Sequence, residues 1–438
     1  MANVVENEKN NSGRMTMKTL ALALFVMMYV LMIAFPKYRP YYALGTGAIF
    51  VVTGILPWNQ LGSTINWNVL MMISGTMIIV DYFIESKMPN LLADLLLERS
   101  KNVMWVTIFM SLFAGVISAF IDNVATLLMV APVGLAICRK LAINPVGMIL
   151  SIAVSSNLQG AATLVGDTTS IMLGDYAQMN FLDFFWMNGK PGIFFAVELG
   201  ALATVPIMML LFRREREPVS AGMRTQVTDT MPSIMLLVMV GALIVASFFP
   251  EAPDTINGTI CLALAMITMI IDFIRQRTTG NVSRAVSNLD FETLLLLTGL
   301  FVAIGGITHV GIIDDFSRLI VRVGGNNLFL LFTVVVWGSV AISAFVDNIP
   351  YVATMLPVLQ AVTGSLGIEP YLLYFGLLTG ATLGGNLTPI GASANIAAVG
   401  LLRKEGHDVS FNDFMRIGVP FTLTAVFVGY LYIWVVNA

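Results

Sequence analysis

Long apolar runs recur along the sequence and constrain its fold more than any other feature. One run, LALALFVMMYVLMIAF, begins at Leu20, and similar runs follow as far as the C-terminal end. An apolar run of about 20 residues is long enough to cross the hydrocarbon core of a bilayer as a helix. Of the 438 residues, 57% are hydrophobic and only 11% are charged. The sequence therefore predicts an all-α polytopic membrane protein.

A short motif occurs once in each half of the chain. ISAFIDN begins at Ile117 and ISAFVDN begins at Ile342, an offset of 225 positions. The same offset relates Pro132 to Pro357, and it relates the downstream segment GAATLVG to GNLTPIG. Because the offset stays nearly constant over roughly ninety residues, the sequence predicts two structural repeats.

We divide the chain into a first repeat at 1–212, which includes a polar N-terminal tail, a linker at 213–230 and a second repeat at 231–438. Each repeat is predicted to contain about five transmembrane helices, one surface helix and one helical hairpin. The predicted helical segments are 19–35, 41–57, 66–84, 88–98, 102–138, 145–175 and 192–212 in the first repeat, and 231–248, 254–274, 291–309, 311–322, 327–362, 369–397 and 412–436 in the second.

Two of these segments, 102–138 and 327–362, are long enough for two short helices that meet at an Asp-Asn pair. Each segment could cross the membrane twice, or it could form a re-entrant hairpin that returns to the side it entered. The polar pair favours the re-entrant hairpin, because irregular backbone at membrane depth must be buried in protein or line a wet cavity.

The distribution of basic residues predicts the orientation in the membrane. With the N-terminus outside, most of the 23 Lys and Arg residues fall on the inner side, as the positive-inside rule requires. Each repeat then has an odd number of crossings, so the two repeats are predicted to be inverted relative to each other. This orientation places the linker in the cytoplasm and predicts an integral protein of a bacterial-type inner or plasma membrane.

Each hairpin carries a carboxylate, Asp122 or Asp347, inside an apolar run. A carboxylate at mid-membrane depth costs about 2.5–3.5 kcal/mol on insertion scales, so it calls for a partner or a function. One interpretation is that each Asp only caps the helix that follows, and Pro350 suits the first turn of such a helix. The interpretation that we favour is that the two carboxylates bind a cation or carry a proton.

A glycine-rich break follows each hairpin, in SSNLQGAATLVGDTTS from Ser155 and in TGATLGGNLTPIGASAN from Thr379. Such a break frees backbone carbonyls that can coordinate an ion, although small residues also allow helices to pack closely. Asp167 aligns with Ala392, so the two sites are predicted to differ chemically. The candidate ion- and substrate-binding residues are Asp122, Asn123, Asn157, Gly160, Thr163, Gly166, Asp167, Asp347, Asn348, Gly385, Asn386, Thr388, Gly391, Ser393 and Asn395.

Other features exclude several classes of protein. The sequence contains no HExxH, GxSxG or P-loop motif, so we predict that it is not an enzyme. Cys138 and Cys261 lie in apolar runs and indicate neither a disulfide framework nor a Cys/His metal site. No polybasic cluster suggests a nucleic acid partner. Glu198 is a further candidate intramembrane acid, and His309 and His407 are predicted to be surface residues near the ends of spans.

In these segments the chain resembles the ion transporter superfamily, which includes divalent anion/sodium symporters, citrate transporters, arsenite permeases, D-type sodium/proton antiporters and the melanosomal P protein. The resemblance is most specific in GGNLTPIGASANIAAVGLLRKEGHDVSFNDF and in the two hairpins. In the symporters the hairpin tips carry Ser-Asn-Thr ten residues before a proline. Here the tips are Asp-Asn-Val at 122–124 and Asp-Asn-Ile at 347–349, as in the antiporter and P-protein branches.

This resemblance implies a binding site and several mechanistic properties. Asn123 and Asn348 match family residues that help to form sodium and substrate sites, so the candidate sodium ligands are Asp122, Asn123, Asp347 and Asn348. No cofactor is expected apart from sodium or a proton as the coupling ion. The family also implies a homodimer and an elevator-like motion of the hairpin-bearing part.

Two functional hypotheses follow from the sequence. The first is a secondary-active transporter that moves a small inorganic or carboxylate anion, coupled to protons or sodium through Asp122 and Asp347. The second is a sodium/proton antiporter that uses the same carboxylates without an anion. An ion channel is a weaker alternative, because a channel does not need two inverted hairpins with titratable tips.

Overall fold

The computed structural model describes residues 2–219, 224–249, 251–325 and 327–437. The first half of the chain forms ten helices and one short β-hairpin within these ranges. They are α1 (Ala2–Ala34), α2 (Arg39–Val52), α3 (Leu61–Thr64), α4 (Trp67–Glu85), α5 (Met88–Glu98), α6 (Val103–Ser118), α7 (Asn123–Leu141), α8 (Val146–Gln159), α9 (Thr168–Tyr176), β1 (Trp186–Met187), β2 (Lys190–Pro191) and α10 (Ile193–Leu211).

In the second half, helices are the only regular secondary structure among the described residues. Its helices are α11 (Met231–Ala246), α12 (Ile256–Gln276), α13 (Gly280–Ser287), α14 (Phe291–His309), α15 (Ile312–Gly324), α16 (Leu328–Ser343), α17 (Asn348–Leu366), α18 (Tyr371–Leu378), α19 (Ser393–Lys404) and α20 (Phe411–Asn437). Within the described residues, eight helices in all are long and apolar enough to cross a membrane: α1 from Met15, α4, α7, α10, α12, α14, α17 and α20. The predicted all-α polytopic fold is therefore confirmed.

The predicted span at 41–57 is shorter in the structure than expected. Helix α2 ends at Val52, because Gly54 adopts a φ of +76° and Pro57 lies in extended backbone. At 1.5 Å per residue the 14 residues of α2 extend only about 21 Å.

Two pairs of helices cross very closely, and glycines allow the approach. Helix α4 packs on α12, where a Cβ atom at Gly75 would lie 2.6 Å from the carbonyl oxygen of Cys261. Helix α14 packs on α2, where a Cβ atom at Gly299 would lie 2.8 Å from the Cβ of Ala43. Small residues at helix crossings are typical of membrane proteins, where van der Waals packing drives association. We call α2, α4, α12 and α14 the scaffold helices.

Hydrogen bonds show which helix ends lie on the same side of the protein as the linker. Asn288, just before α14, donates to Asp81 near the end of α4 over 2.7 Å. The backbone N–H of Thr228, in the linker, donates to the carbonyl of Ser86 over 3.0 Å. The C-terminal end of α4, the N-terminal end of α14 and the linker therefore lie on one side of the protein, which we call the linker side.

The close crossing at Gly75 predicts a stability effect. Gly75→Ala should destabilise the protein by about 1–3 kcal/mol, because the added methyl group would collide with the backbone of α12 and force the helices apart. The measurement is the thermal stability of detergent-purified protein, followed by size-exclusion chromatography.

Gly241→Ala is the matched control for this substitution. A Cβ atom at this position of α11 meets nothing within 4 Å. Its stability should equal that of the parent or exceed it by up to about 1 kcal/mol, since alanine is the better helix former. Equal stability of the Gly75→Ala and Gly241→Ala proteins would contradict the packing argument.

Candidate functional site

The Asp-Asn pairs lie where the predicted hairpins break, between α6 and α7 and between α16 and α17. Oδ1 of Asp122 accepts hydrogen bonds from the backbone N–H groups of Val124 (3.0 Å) and Ala125 (3.1 Å). Oδ1 of Asp347 accepts one from the N–H of Ile349 (3.2 Å). Both aspartates therefore cap the following helix, as the first interpretation proposed. Capping uses only one oxygen of each carboxylate, so it leaves the other oxygen for a second role.

Backbone carbonyls converge beside each hairpin tip. A Cβ atom at Gly166 would lie 2.6–2.8 Å from the carbonyl oxygens of Gly160, Ser118 and Ala119. The hydroxyl of Thr163 donates to the carbonyl of Ala119. Only glycine leaves room for such a cluster of oxygens, and carbonyl oxygens in broken helices are suitable ligands for a small cation.

The second half repeats this arrangement. A Cβ atom at Gly391 would lie 2.5–2.8 Å from the carbonyl oxygens of Gly385, Ser343 and Ala344. The hydroxyl of Thr388 donates to the carbonyl of Ala344. The structure therefore brings the predicted glycines and threonines of each half together with the tip of the hairpin in the same half.

A buried chain of amides joins the two halves. Asn123 donates to Asn157 (2.8 Å), and Asn157 donates to Asn386 (3.1 Å) and to the carbonyl of Thr382 (2.7 Å). Asn395 donates to the same Oδ1 of Asn386 over 3.3 Å. These predicted site residues thus contact one another in the centre of the protein. Since their amide groups are largely satisfied, they can hold the two broken helices in register.

Asp122 and Asp167 face one cavity of about 450 Å³. Oδ2 of Asp167 accepts from Thr169 (2.8 Å) and lies 3.5 Å from Nδ2 of Asn348. No described residue donates to Oδ2 of Asp122 or forms an ion pair with either carboxylate. The remaining lining residues are Ile73, Thr76, Met77, Val80, Asp81, Ile84, Ala125, Leu128, Met129, Val165, Thr168, Ile171 and Asn288.

This cavity is acidic and extends toward the linker side. It runs from the tip of the first hairpin along α4 to Asp81 and Asn288. Asp81 is already engaged there by Asn288 and by Nε of Arg284, over 3.3 Å. None of the described residues that line the cavity is Lys, Arg or His. The electrostatic character of the cavity therefore favours a cation.

Asp347 has a partner that the sequence analysis did not identify. Oδ2 of Asp347 accepts from Nη1 of Arg39 over 2.8 Å and from the hydroxyl of Ser393 over 3.2 Å. Arg39, at the start of α2, entered the sequence analysis only as one of the basic residues that set the orientation. No local sequence pattern signals its proximity to Asp347, which lies 308 positions away in the chain.

The remaining candidates lie away from this centre. Glu198 lies on α10 and does not line the acidic cavity. His309 is exposed and lines a second cavity of about 430 Å³ at the opposite end of α4 and α14, together with Asn66 and Tyr176. The structure therefore gives no reason to include Glu198 or His407 in the site.

Broken helices, helix-capping aspartates and clustered carbonyls inside an apolar helical protein define a membrane transporter, and comparison with known proteins agrees. The family model for the citrate transporter matches residues 27–380. Because this match covers most of the chain, the protein belongs to the citrate transporter family.

Two of the similar proteins are named as a transporter and as a membrane protein. A protein of Mycobacterium tuberculosis, named as an uncharacterized transporter, is 29% identical over 95% of this chain and 98% of its own length. The 46 kDa membrane protein of Mycobacterium leprae is also 29% identical, with the same coverage of both chains. The human P protein is 24% identical over 96% of this chain, which corresponds to 60% of the P protein.

Solved structures show the same fold at low sequence identity. The YdaH transporter of Alcanivorax borkumensis superposes with a TM-score of 0.59 at 12% identity, covering 96% of this chain and 98% of that one. MtrF of Neisseria gonorrhoeae superposes with a TM-score of 0.56 at 12% identity, covering 95% and 94%. These likenesses support the fold and carry no information about the substrate.

The carbonyl cluster at Gly391 predicts a loss of transport. Gly391→Ala should reduce the transport rate about tenfold or more, because the methyl group would displace the three carbonyl oxygens from the hairpin tip. Uptake into vesicles reconstituted with equal amounts of folded protein measures the effect.

The control for this substitution is Gly400→Ala in α19, where a Cβ atom meets nothing within 4 Å. This variant should transport at the parental rate. If Gly391→Ala also transports at that rate, the carbonyl cluster has no role in transport.

Proposed function

We propose that the protein is a secondary-active transporter that moves a small inorganic or carboxylate anion coupled to protons or sodium, with the cation bound at Asp122 and Asp167. The observation that carries this proposal is the pair of carboxylates that face one cavity without a basic partner among the described residues. Membership of the citrate transporter family supports a carboxylate as the anion.

The geometry supports binding of a cation at this place. Oδ2 of Asp122 is free of described donors, while Oδ1 is fixed by the start of α7. The carbonyl cluster around Gly166 lies at the same hairpin tip and supplies neutral oxygen atoms. A buried carboxylate with neighbouring carbonyls can either hold sodium or accept a proton, and either event removes the cost of a buried charge.

A second candidate function is cation/proton exchange without an anion. It is favoured by the composition of the cavity, because no described lining residue carries the positive charge that would attract an anion. An ion channel remains the weaker alternative. Saturable flux that depends on a counter-ion would exclude it.

We also propose that the protein alternates access by an elevator-like motion of the hairpins against the scaffold helices, and that it works as a homodimer. The support for the motion is that Asp122 lines a cavity that reaches the linker side. The predicted orientation, with an external N-terminus and a cytoplasmic linker, would make this an inward-facing state.

These proposals predict the effect of neutralising Asp122. Asp122→Asn should abolish coupled flux. The amide keeps the shape of the side chain but has no negative charge with which to bind sodium or accept a proton. The measurement uses purified protein in sealed vesicles with a pH-sensitive dye inside, to which sodium and then a panel of anions including citrate are added.

The same assay separates the two candidate functions. Proton movement on adding sodium alone would establish exchange without an anion, whereas movement that requires one particular anion would identify the substrate. Asp408→Asn is the control, because the Asp408 side chain is 96% exposed. Undiminished flux through Asp122→Asn would refute the role of Asp122 in coupling.

A further inference from the structure

We propose that Arg39 occupies the second of two related ion sites as a permanent, tethered cation, so that the protein binds its coupling ion at Asp122 and Asp167 only. This inference rests on the proposed function, because it concerns how many coupling cations the same transporter uses. It arises from a difference in charge between the two hairpin tips.

The two tips share a capping aspartate and a carbonyl cluster at a glycine, but they differ in their charged partners. In the first half Asp122 is followed, across the glycine break, by Asp167 and Thr168. In the second half the positions 225 residues later hold Asp347, Ala392 and Ser393. The first tip therefore carries two carboxylates, whereas the second carries one carboxylate and one guanidinium.

The free oxygen of each tip aspartate shows the same difference. Oδ1 caps the following helix in both halves, so this atom has the same task at both tips. Oδ2 of Asp122 has no donor among the described residues. Oδ2 of Asp347 accepts from both Arg39 and Ser393. A guanidinium thus lies where an ion bound at Asp347 would make its contact.

The ion pair is buried and rigidly held. The Arg39 side chain is 15% exposed and that of Asp347 is 4% exposed. Nε of Arg39 also donates to the carbonyl of Met32 over 3.2 Å, which fixes the guanidinium against the end of α1. The hydroxyl of Tyr29 in turn donates to the carbonyl of Pro350 over 2.6 Å. The α1–α2 corner therefore holds the second hairpin by two separate contacts.

Arginine is the residue that suits this role. Its guanidinium stays protonated at any physiological pH and is less strongly hydrated than an ammonium group, so it tolerates a buried pair. Because this positive charge is covalently attached to the protein, it cannot be released and transported as a bound sodium ion or proton can. At Asp347 the protein therefore has the electrostatic equivalent of a bound cation without transporting one.

The test counts the cations that bind to the purified protein. Arg39→Gln should bind one cation more per chain than the parent, measured as sodium with the radioactive isotope and as protons by acid–base titration in sodium-free medium. The double variant Arg39→Gln/Asp347→Asn should return to the parental count, because the freed carboxylate is then absent. Lys37→Gln removes an exposed positive charge two residues away and should leave the count unchanged.

An unchanged count for folded Arg39→Gln, or an extra cation that persists in the double variant, would overturn the proposal. If Arg39→Gln alone does not fold, the double variant decides the matter. A folded double variant that binds the parental number of cations supports the proposal. A lower number of bound cations, or failure of the double variant to fold, overturns it. The cation counts remain interpretable whether or not Asp122→Asn abolishes flux, so failure of the proposed function can be recognised separately.

Discussion

The cost of placing a carboxylate inside an apolar protein governs the centre of this structure. In hydrocarbon, an unpaired charge or an unsatisfied backbone group is expensive, so every irregular feature needs internal partners. The helix caps at Asp122 and Asp347, the amide chain through Asn157 and Asn386, and the ion pair with Arg39 each satisfy part of that requirement. The second oxygen of Asp122 faces the cavity and accepts no hydrogen bond from the described residues. Under the proposed function, this oxygen is where the exchangeable ion would bind.

Glycine makes this centre possible. At Gly166 and Gly391, three carbonyl oxygens from two separate segments approach the Cα closely enough that no side chain would fit. The glycine-rich breaks therefore serve the hairpin tips, and the interpretation of these residues as mere helix-packing positions does not account for the convergence of carbonyls. Close packing is the role of Gly75 and Gly299 in the scaffold helices, and also of Gly380 in the second break, where a Cβ atom would collide with the carbonyl oxygen of Val336.

The sequence predicted the elements of this centre because they are local. The Asp-Asn pairs, the glycine breaks and the mismatch between Asp167 and Ala392 are visible as motifs, and the long apolar runs predicted the all-α polytopic fold. Arg39 was missed for a physical reason: it meets Asp347 across 308 positions of chain, and a local sequence pattern does not report a contact of that range. The helical break after Val52 coincides with the positive φ of Gly54 and is followed by Pro57, and the predicted span at 41–57 did not take account of these two helix-ending residues. The relative inversion of the repeats and the re-entrant path of the hairpins remain predictions.

Two cavities lie at opposite ends of the scaffold helices α4 and α14, and they differ in whether they reach the carboxylates of the proposed site. The acidic cavity reaches Asp122 and Asp167 from the linker side, where it is bounded by Asp81 and Asn288. The other cavity is lined by His309, Asn66 and Pro357, and none of its described lining residues belongs to a hairpin tip. Of these two cavities, only the acidic one is lined by the two carboxylates in this conformation. The Arg39–Asp347 pair joins a scaffold helix to the second hairpin, so a movement of that hairpin toward the other side would have to break it. Under the proposed mechanism, the same guanidinium that neutralises Asp347 would also stabilise this conformation against the opposite one.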